Sequence, residues 1–278
     1  MPDRDSLVKD CYLEKRECII RIPEDILETR LIKEYRAMAD LAIVEIAGRD
    51  SVAAAVKAVE QWGFTGLIPT YVYTGTEFGP WKNIEQAVKR LEHRLPFTRI
   101  YPLIVLGSPR FWQAMNGRFA DELMARYGFY MPCVGCHIYL HTVRIPLSIL
   151  LGNIPVISGE RELHDGALKL NQISEALTSY ERLANEFGVR LLMPLRKVSE
   201  GERITDILGF QWDQGDEQLG CVLSGNYRRI SGDIVISNDK VKIYLEEFAY
   251  PLAKKITETY VMDQMPDHLK IAADILVS

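Results

Sequence analysis

From Leu41 to Leu195, short apolar runs alternate with stretches whose apolar residues recur every three or four positions. The runs LAIVEI (41–46), LIPTYVY (67–73), RIYPLIVL (99–106), NIPVIS (153–158) and VRLLMPL (189–195) are each apolar with little alternation, the pattern of strands buried on both faces. Between the first two, SVAAAVKAVEQ places Val52, Ala55, Val56 and Val59 on one helical face. After the second, Trp81, Ile84, Val88, Leu91 and Leu95 form another such face, opened by Pro80. Further helices are predicted from about Pro109 to Tyr127, from the Cys133/Cys136 pair through Leu151, and from roughly Leu168 to Phe187.

Five apolar strands interleaved with helices predict an α/β fold, a doubly wound five-stranded parallel sheet with ligands at the carboxyl ends of its strands. The pattern divides the chain into a core domain over 41–195, an N-terminal addition over 1–40, largely helical from Pro23 to Met38, and a C-terminal region over 196–278. The last part of that region, Lys240 to Leu276, reads as helices interrupted by Pro251 and Pro266.

With 278 residues, 47% of them hydrophobic and 26% charged, the chain can bury a sizeable core. Pro146, Asn153 and Pro155 break its longest apolar run, 145–157, so no transmembrane helix and no membrane partner are expected. The charged start MPDRDSLVKDCYLEK lacks the apolar core of a secretory signal, which makes the cytoplasm the expected compartment. A net charge of −5 excludes a broadly basic nucleic-acid binder while leaving room for a local basic face. Arg118, Arg126, Arg144, Arg228 and Arg229 are candidates for such a face, Arg228 and Arg229 foremost because they follow Cys221 in a glycine-flanked segment and suit an anionic substrate.

The segment after the first strand, Ile46-Ala47-Gly48-Arg49-Asp50-Ser51, carries neither the glycine fingerprint of dinucleotide folds nor a Walker loop. Gly48 permits close backbone approach, Ser51 can cap the next helix, and the exposed amides of that helix favour an anion. A capped strand-to-helix turn without a ligand has the same residues. Five cysteines spread along the chain argue against a disulfide framework. Cys133-Val134-Gly135-Cys136 can turn two sulfurs onto one centre, as in zinc and iron–sulfur sites, or form a reversible disulfide. Closing a zinc site needs two more ligands, for which His137, His141, His164 and Cys221 are candidates. Cys11 and Cys18 have no ligand spacing. His137 and His141, four apart, share a helical face and are expected at the surface or behind a ligand shell.

The loop 46–51 resembles the S-G-G-x-D-S loop of the ATP pyrophosphatase, or PP-loop, superfamily, with Ile46 in place of Ser and Ala47 in place of the first Gly. The order C-x-x-C, Arg144, apolar helix, strand, then Ser158-Gly159-Glu160-Arg161-Glu162 resembles the tRNA 2-thiocytidine synthetase type of tRNA thiolase within that superfamily. Cys221, in Gln218-Leu219-Gly220-Cys221-Val222-Leu223-Ser224-Gly225, stands where those enzymes carry a third cysteine, and Ser224 where a further one often lies. The resemblance spans roughly residues 41–226.

It implies an adenine nucleotide alpha hydrolase-like fold and an ATP-dependent adenylating enzyme that thiolates tRNA or a small molecule. Cys133, Cys136 and Cys221 would hold a [4Fe–4S] cluster, with zinc as the alternative. Ala47, Gly48, Arg49, Asp50, Ser51, Thr74, Ser158, Gly159 and Glu160 would bind ATP and Mg²⁺. Asp50 and Arg161 would act in catalysis, Arg161 by neutralising charge on the departing pyrophosphate. A sulfur donor would be the remaining partner, and a homodimer is left open. Two further readings are a non-thiolating ligase of the same superfamily with structural zinc, and a nucleotide-binding protein without turnover.

Overall fold

The computed structural model describes residues 27–278. Most of the N-terminal addition, with Cys11 and Cys18, lies outside the described residues. Helix α1 (Thr29–Ala37) leads into strand β1 (Leu41–Glu45), helix α2 (Arg49–Trp62) and strand β2 (Gly66–Val72). A two-residue strand β3 (Glu77–Phe78) precedes α3 (Lys82–Arg94), after which β4 (Arg99–Ile100) and β5 (Ile104–Leu106) follow in turn. Every pairing in the main sheet is parallel, in the order β4/β5, β2, β1, β6 (Val156–Ile157), β7 (Leu191–Leu192). Both β4 and β5 pair with β2, so the single strand expected over 99–106 is interrupted around Pro102, which has no N–H to give a ladder.

The strand order reverses direction at β1: chain segments after β1 build outward on the β2 side, and β6 returns to its other edge. That crevice, between the carboxyl ends of β1 and β6, is where open parallel sheets place ligands. Period-two alternation along β1 sends Leu41 and Ile43 into one apolar core and Ala42, Val44 and Ile46 into a second on the opposite face.

The second core is closed by α2, α3 and α8 (Gly201–Leu208). The first holds α6 (Pro132–Leu150), which follows α4 (Pro109–Trp112) and α5 (Ala120–Tyr127), together with α7 (Ser174–Glu186) and the C-terminal helices. Because Val241, Tyr244, Phe248, Leu252 and Ile256 pack in the same core as Val134, Ile138 and Val143, the C-terminal region and the sheet share one interior. Helix α6 has the length and apolarity of a membrane span, yet most of it is buried inside the protein.

Two predicted helices are reshaped. The helix expected over 109–127 is broken by a wide π-type turn at Gln113–Gly117. Pro251 does not end the C-terminal helix: α9 (Asn238–Tyr244) runs through a second π-type turn, Leu245–Ala249, directly into α10 (Tyr250–Val261), and Pro251 lies just after that wide turn, where the regular hydrogen-bond ladder is already altered. Pro266 does mark a break, before α11 (His268–Val277).

Candidate functional site

The turn after β1 is built around Ser51. Its Oγ accepts hydrogen bonds from the Ala47 and Gly48 amides at 2.9 and 3.1 Å and donates to the Gly48 carbonyl at 2.8 Å, so one hydroxyl shapes the whole loop. Ser51→Ala is expected to cost about 1 kcal/mol of stability, read from urea unfolding. Ile46, standing where the resembling loop has Ser, is fully buried and offers the site only backbone. Arg49 Nε donates to Asp50 Oδ1 at 2.8 Å, and the buried Arg161 places its Nε 3.0 Å from Asp50 Oδ2. The carboxylate of Asp50 thus lies between two guanidinium groups at the start of α2.

The first turn after β6 packs directly on this loop. A Cβ on Gly159 would sit 2.6 Å from the Ser51 nitrogen and 2.8 Å from the Asp50 carbonyl carbon, a separation only glycine permits. Ser158 Oγ donates to Glu45 Oε2 at 2.6 Å, tying the ends of β6 and β1 together. Next to it Glu160 is buried and accepts from His137 Nδ1 at 2.7 Å, from His141 Nε2 at 3.0 Å and from Gln172 Nε2. Burial alone would raise its pKa, but the two histidines and their hydrogen bonds win and hold the carboxyl well below its ordinary range. Burial opposes charge on His137 too, and the Glu160 carboxylate outweighs it, raising the imidazole. His137 and His141 are therefore a clasp on Glu160 from one face of α6, a role their spacing allowed but did not reveal.

Arg144 is not on an exposed face, though it lines the thiol cavity. It is 1% exposed, donates to Thr70 Oγ1 at 2.9 Å and the Leu140 carbonyl at 2.8 Å, and lies 3.9 Å from Glu45. Of the other arginines, Arg126 donates to the Leu276 carbonyl, Arg228 to the carbonyls of Gly232 and Leu168, and Arg118 lies over the Phe119 ring. His164, a candidate ligand, does not line the thiol cavity. His164 contacts Arg161 at 3.3 Å and is pushed down to about 4 by burial and nearby cations, while Asp165 accepts from the Gly201 amide at the start of α8.

Cys133, Cys136 and Cys221 line the same cavity. β3 pairs antiparallel with β8 (Gly220–Cys221), Glu77 opposite Cys221, and this two-stranded ribbon carries the C-terminal cysteine to the mouth of α6. Cys221 Sγ lies 3.2 Å from Thr76 Oγ1, and Cys133 Sγ lies 3.3 Å from Asn226 Oδ1. All three thiols are free and line one cavity of about 330 Å³. Burial, then the proximity of Cys221, pushes the Cys133 thiol up to about 11, and burial pushes Cys136 higher still against the influence of the Trp112 indole. Among the described residues no three His, Cys, Asp or Glu side chains are grouped to hold a metal ion.

A second cavity of about 270 Å³ lies over Gly48, Asp50, Ser51, Gly159 and Glu160. The two cavities share Glu45, Ala47, His137, Lys169, Gln172 and Leu219 as walls. Thr74 faces the thiol cavity, where its amide donates to Glu77 Oε1 at 2.7 Å. Over the loop itself, Gln218 Oε1 lies 3.4 Å from the Arg49 amide, a side-chain oxygen set against the helix N-terminus. Gln218, Glu77, Lys169 and the Asn171–Gln172 turn were not legible as site residues. Gln218 and Glu77 flank recognisable motifs, the only signal that could have raised them.

No family model matches the chain. Over 250 residues it is 38% identical to the uncharacterized protein MJ0009 of Methanocaldococcus jannaschii, a match covering 88% of this chain and 90% of the archaeal one. The chain belongs to the same family as that archaeal protein.

Proposed function

We propose that this protein is an ATP-dependent adenylating enzyme of the PP-loop type, on a doubly wound, adenine nucleotide alpha hydrolase-like sheet, that transfers sulfur to tRNA or an anionic small molecule in the cytoplasm. The observation that carries the reading is the sharing of walls between the cavity over residues 48–51 and the cavity lined by three thiols from two distant segments. An ATP lying across that boundary would have its phosphates on the amides at the start of α2 and its reacting α-phosphorus toward the cysteines.

The chemistry follows from leaving groups. A carbonyl oxygen of the acceptor attacks the α-phosphorus, the bond to the bridging oxygen of the β-phosphate breaks, and pyrophosphate leaves. The C–O bond so activated then breaks with its electron pair as a sulfur nucleophile bonds to carbon, and AMP departs. Arg161 and Arg49, held by Asp50, are suited to the charge on pyrophosphate, with Mg²⁺ as its counter-ion. Three cysteines from two segments line one cavity, a supply of soft donors that a bound metal would have to draw together, and burial keeps two of them protonated until a cation compensates their charge. Cys133, Cys136 and Cys221 would then hold a [4Fe–4S] cluster, which when bound supplies an iron open to the sulfur being delivered.

The test is iron, zinc and sulfide analysis on protein purified without oxygen, beside a Cys133→Ala, Cys136→Ala, Cys221→Ala variant, together with pyrophosphate release from ATP in the presence of tRNA or carbonyl-bearing metabolites. Iron and sulfide lost in the variant, with acceptor-stimulated pyrophosphate release, are expected. Zinc with cluster-independent turnover would replace this reading by a non-thiolating ligase, and nucleotide binding without any release by a protein that only binds.

A further inference from the structure

Lys169 stands at the boundary of the two cavities and lines both. Every other charged side chain close to that boundary is already committed. Arg49 and Arg161 hold Asp50, Glu45 takes Ser158 and faces Arg144, and Glu160 takes His137, His141 and Gln172. The ammonium of Lys169 has no hydrogen-bond or ion-pair partner among the described residues. It is exposed, but in a concave place, where the crowding of protein and then the neighbouring Arg161 lower its pKa against the pull of Asp50.

The backbone that carries it is fixed on one side by a short turn, Leu170–Gln172. Asn171 Nδ2 lies 2.8 Å from His137 Nε2, Gln172 reaches Glu160, and Tyr180 donates to the Asn171 carbonyl at 3.0 Å. The Glu160 clasp therefore does more than neutralise a buried carboxylate. It anchors the turn that presents an unpaired cation to the space between the phosphate loop and the thiols.

We infer that Lys169 is the anion anchor of this site, binding the α-phosphate of the nucleotide where it passes from the loop cavity toward the thiol cavity. The inference rests on the nucleotide reading above and assigns within it a residue that no motif marks. The amides at the start of α2 serve the outer phosphates, and Lys169 serves the phosphate at which the acceptor reacts. An ammonium on a flexible stem suits this role because it can follow a phosphate whose geometry changes during substitution. It also supplies charge where the two loop guanidiniums, tied to Asp50, are less free to move.

The experiment is calorimetric titration of Mg-ATP, adenosine and magnesium pyrophosphate into the wild type, Lys169→Met and Lys169→Arg, with thermal melts as a fold control. An exposed side chain without partners should leave the melt unchanged. Lys169→Met is expected to weaken ATP about 10-fold or more, as loss of a charge-assisted hydrogen bond does, while Lys169→Arg stays within about 3-fold of the wild type and adenosine is unaffected. Unchanged ATP affinity in Lys169→Met overturns the inference, and an equal loss for pyrophosphate overturns the assignment to the α-phosphate. A wild type that binds neither ATP nor pyrophosphate sinks the nucleotide reading itself, and the inference with it.

Discussion

Gly159→Ala should abolish nucleotide binding and lower stability by about 1–3 kcal/mol, the range for forcing an extra carbon into a packed site. The added Cβ would meet the Ser51 nitrogen at 2.6 Å and its Cα at 2.7 Å. Those are backbone atoms of the first turn of α2, which cannot rotate away as a side-chain end would. Relief requires β6 and the loop 47–51 to separate, which would break the Ser158–Glu45 hydrogen bond and displace the amides an anion would use. Gly117→Ala is the control, because its nearest neighbour would be the Gln113 Cγ at 3.7 Å, an ordinary contact. ATP titration and urea unfolding of both variants test the contrast. Wild-type affinity in Gly159→Ala would mean that the loop and the β6 turn are not one site.

Glu160→Ala is expected to destabilise the protein by about 3–5 kcal/mol, since it removes one partner from a buried charged network and strands the others. At this chain length that is roughly 10 °C in Tm. The pH dependence has two limbs of opposite sign. Glu160 is depressed below 4.5, so its contribution is complete above that value and is lost as pH falls through the lower folded value. His137 is raised above 6.5, so its contribution is complete below 6.5 and is lost as pH rises through the higher folded value. The pair therefore contributes most between about 4.5 and 6.5. Urea midpoints across pH 3–9 should show both limbs in the wild type and flatten them in Glu160→Gln. Parallel profiles for the two proteins would show that the clasp does not carry the charge argued for it.

The same clasp shows why motif reading stops short. His137 and His141 could be placed on one helical face from their spacing, and Glu160 at a strand's end from the apolar run before it. Nothing in either segment says that one carboxylate meets both rings, because that contact depends on how α6 crosses β6. Arg144 makes the point from the other side. A charged residue in an apolar helix reads as a candidate for the surface or for substrate, and its position against Thr70 and Glu45 is fixed by two strands elsewhere in the chain. Cys221 was legible as one of several candidate ligands, and likeness to a motif order singled it out. The ribbon that delivers it depends on Glu77 and Phe78, two residues too few to carry a strand pattern.

Periodicity by itself determined the parallel α/β architecture, since runs apolar on both faces must be covered on both faces, and the interleaved amphipathic helices are what cover them. It likewise determined the turn after β1, because Gly48 and Ser51 act within one loop, over a few residues. The tertiary structure decided everything that joins distant segments: the cavity that three cysteines from two segments line, the glycine contact between β6 and α2, the clasp on Glu160 and the position of Lys169. The physical reason is range. Strand and helix formation follow from neighbours along the chain, whereas a site is made of side chains whose separation is set by packing, and the packing belongs to the whole core.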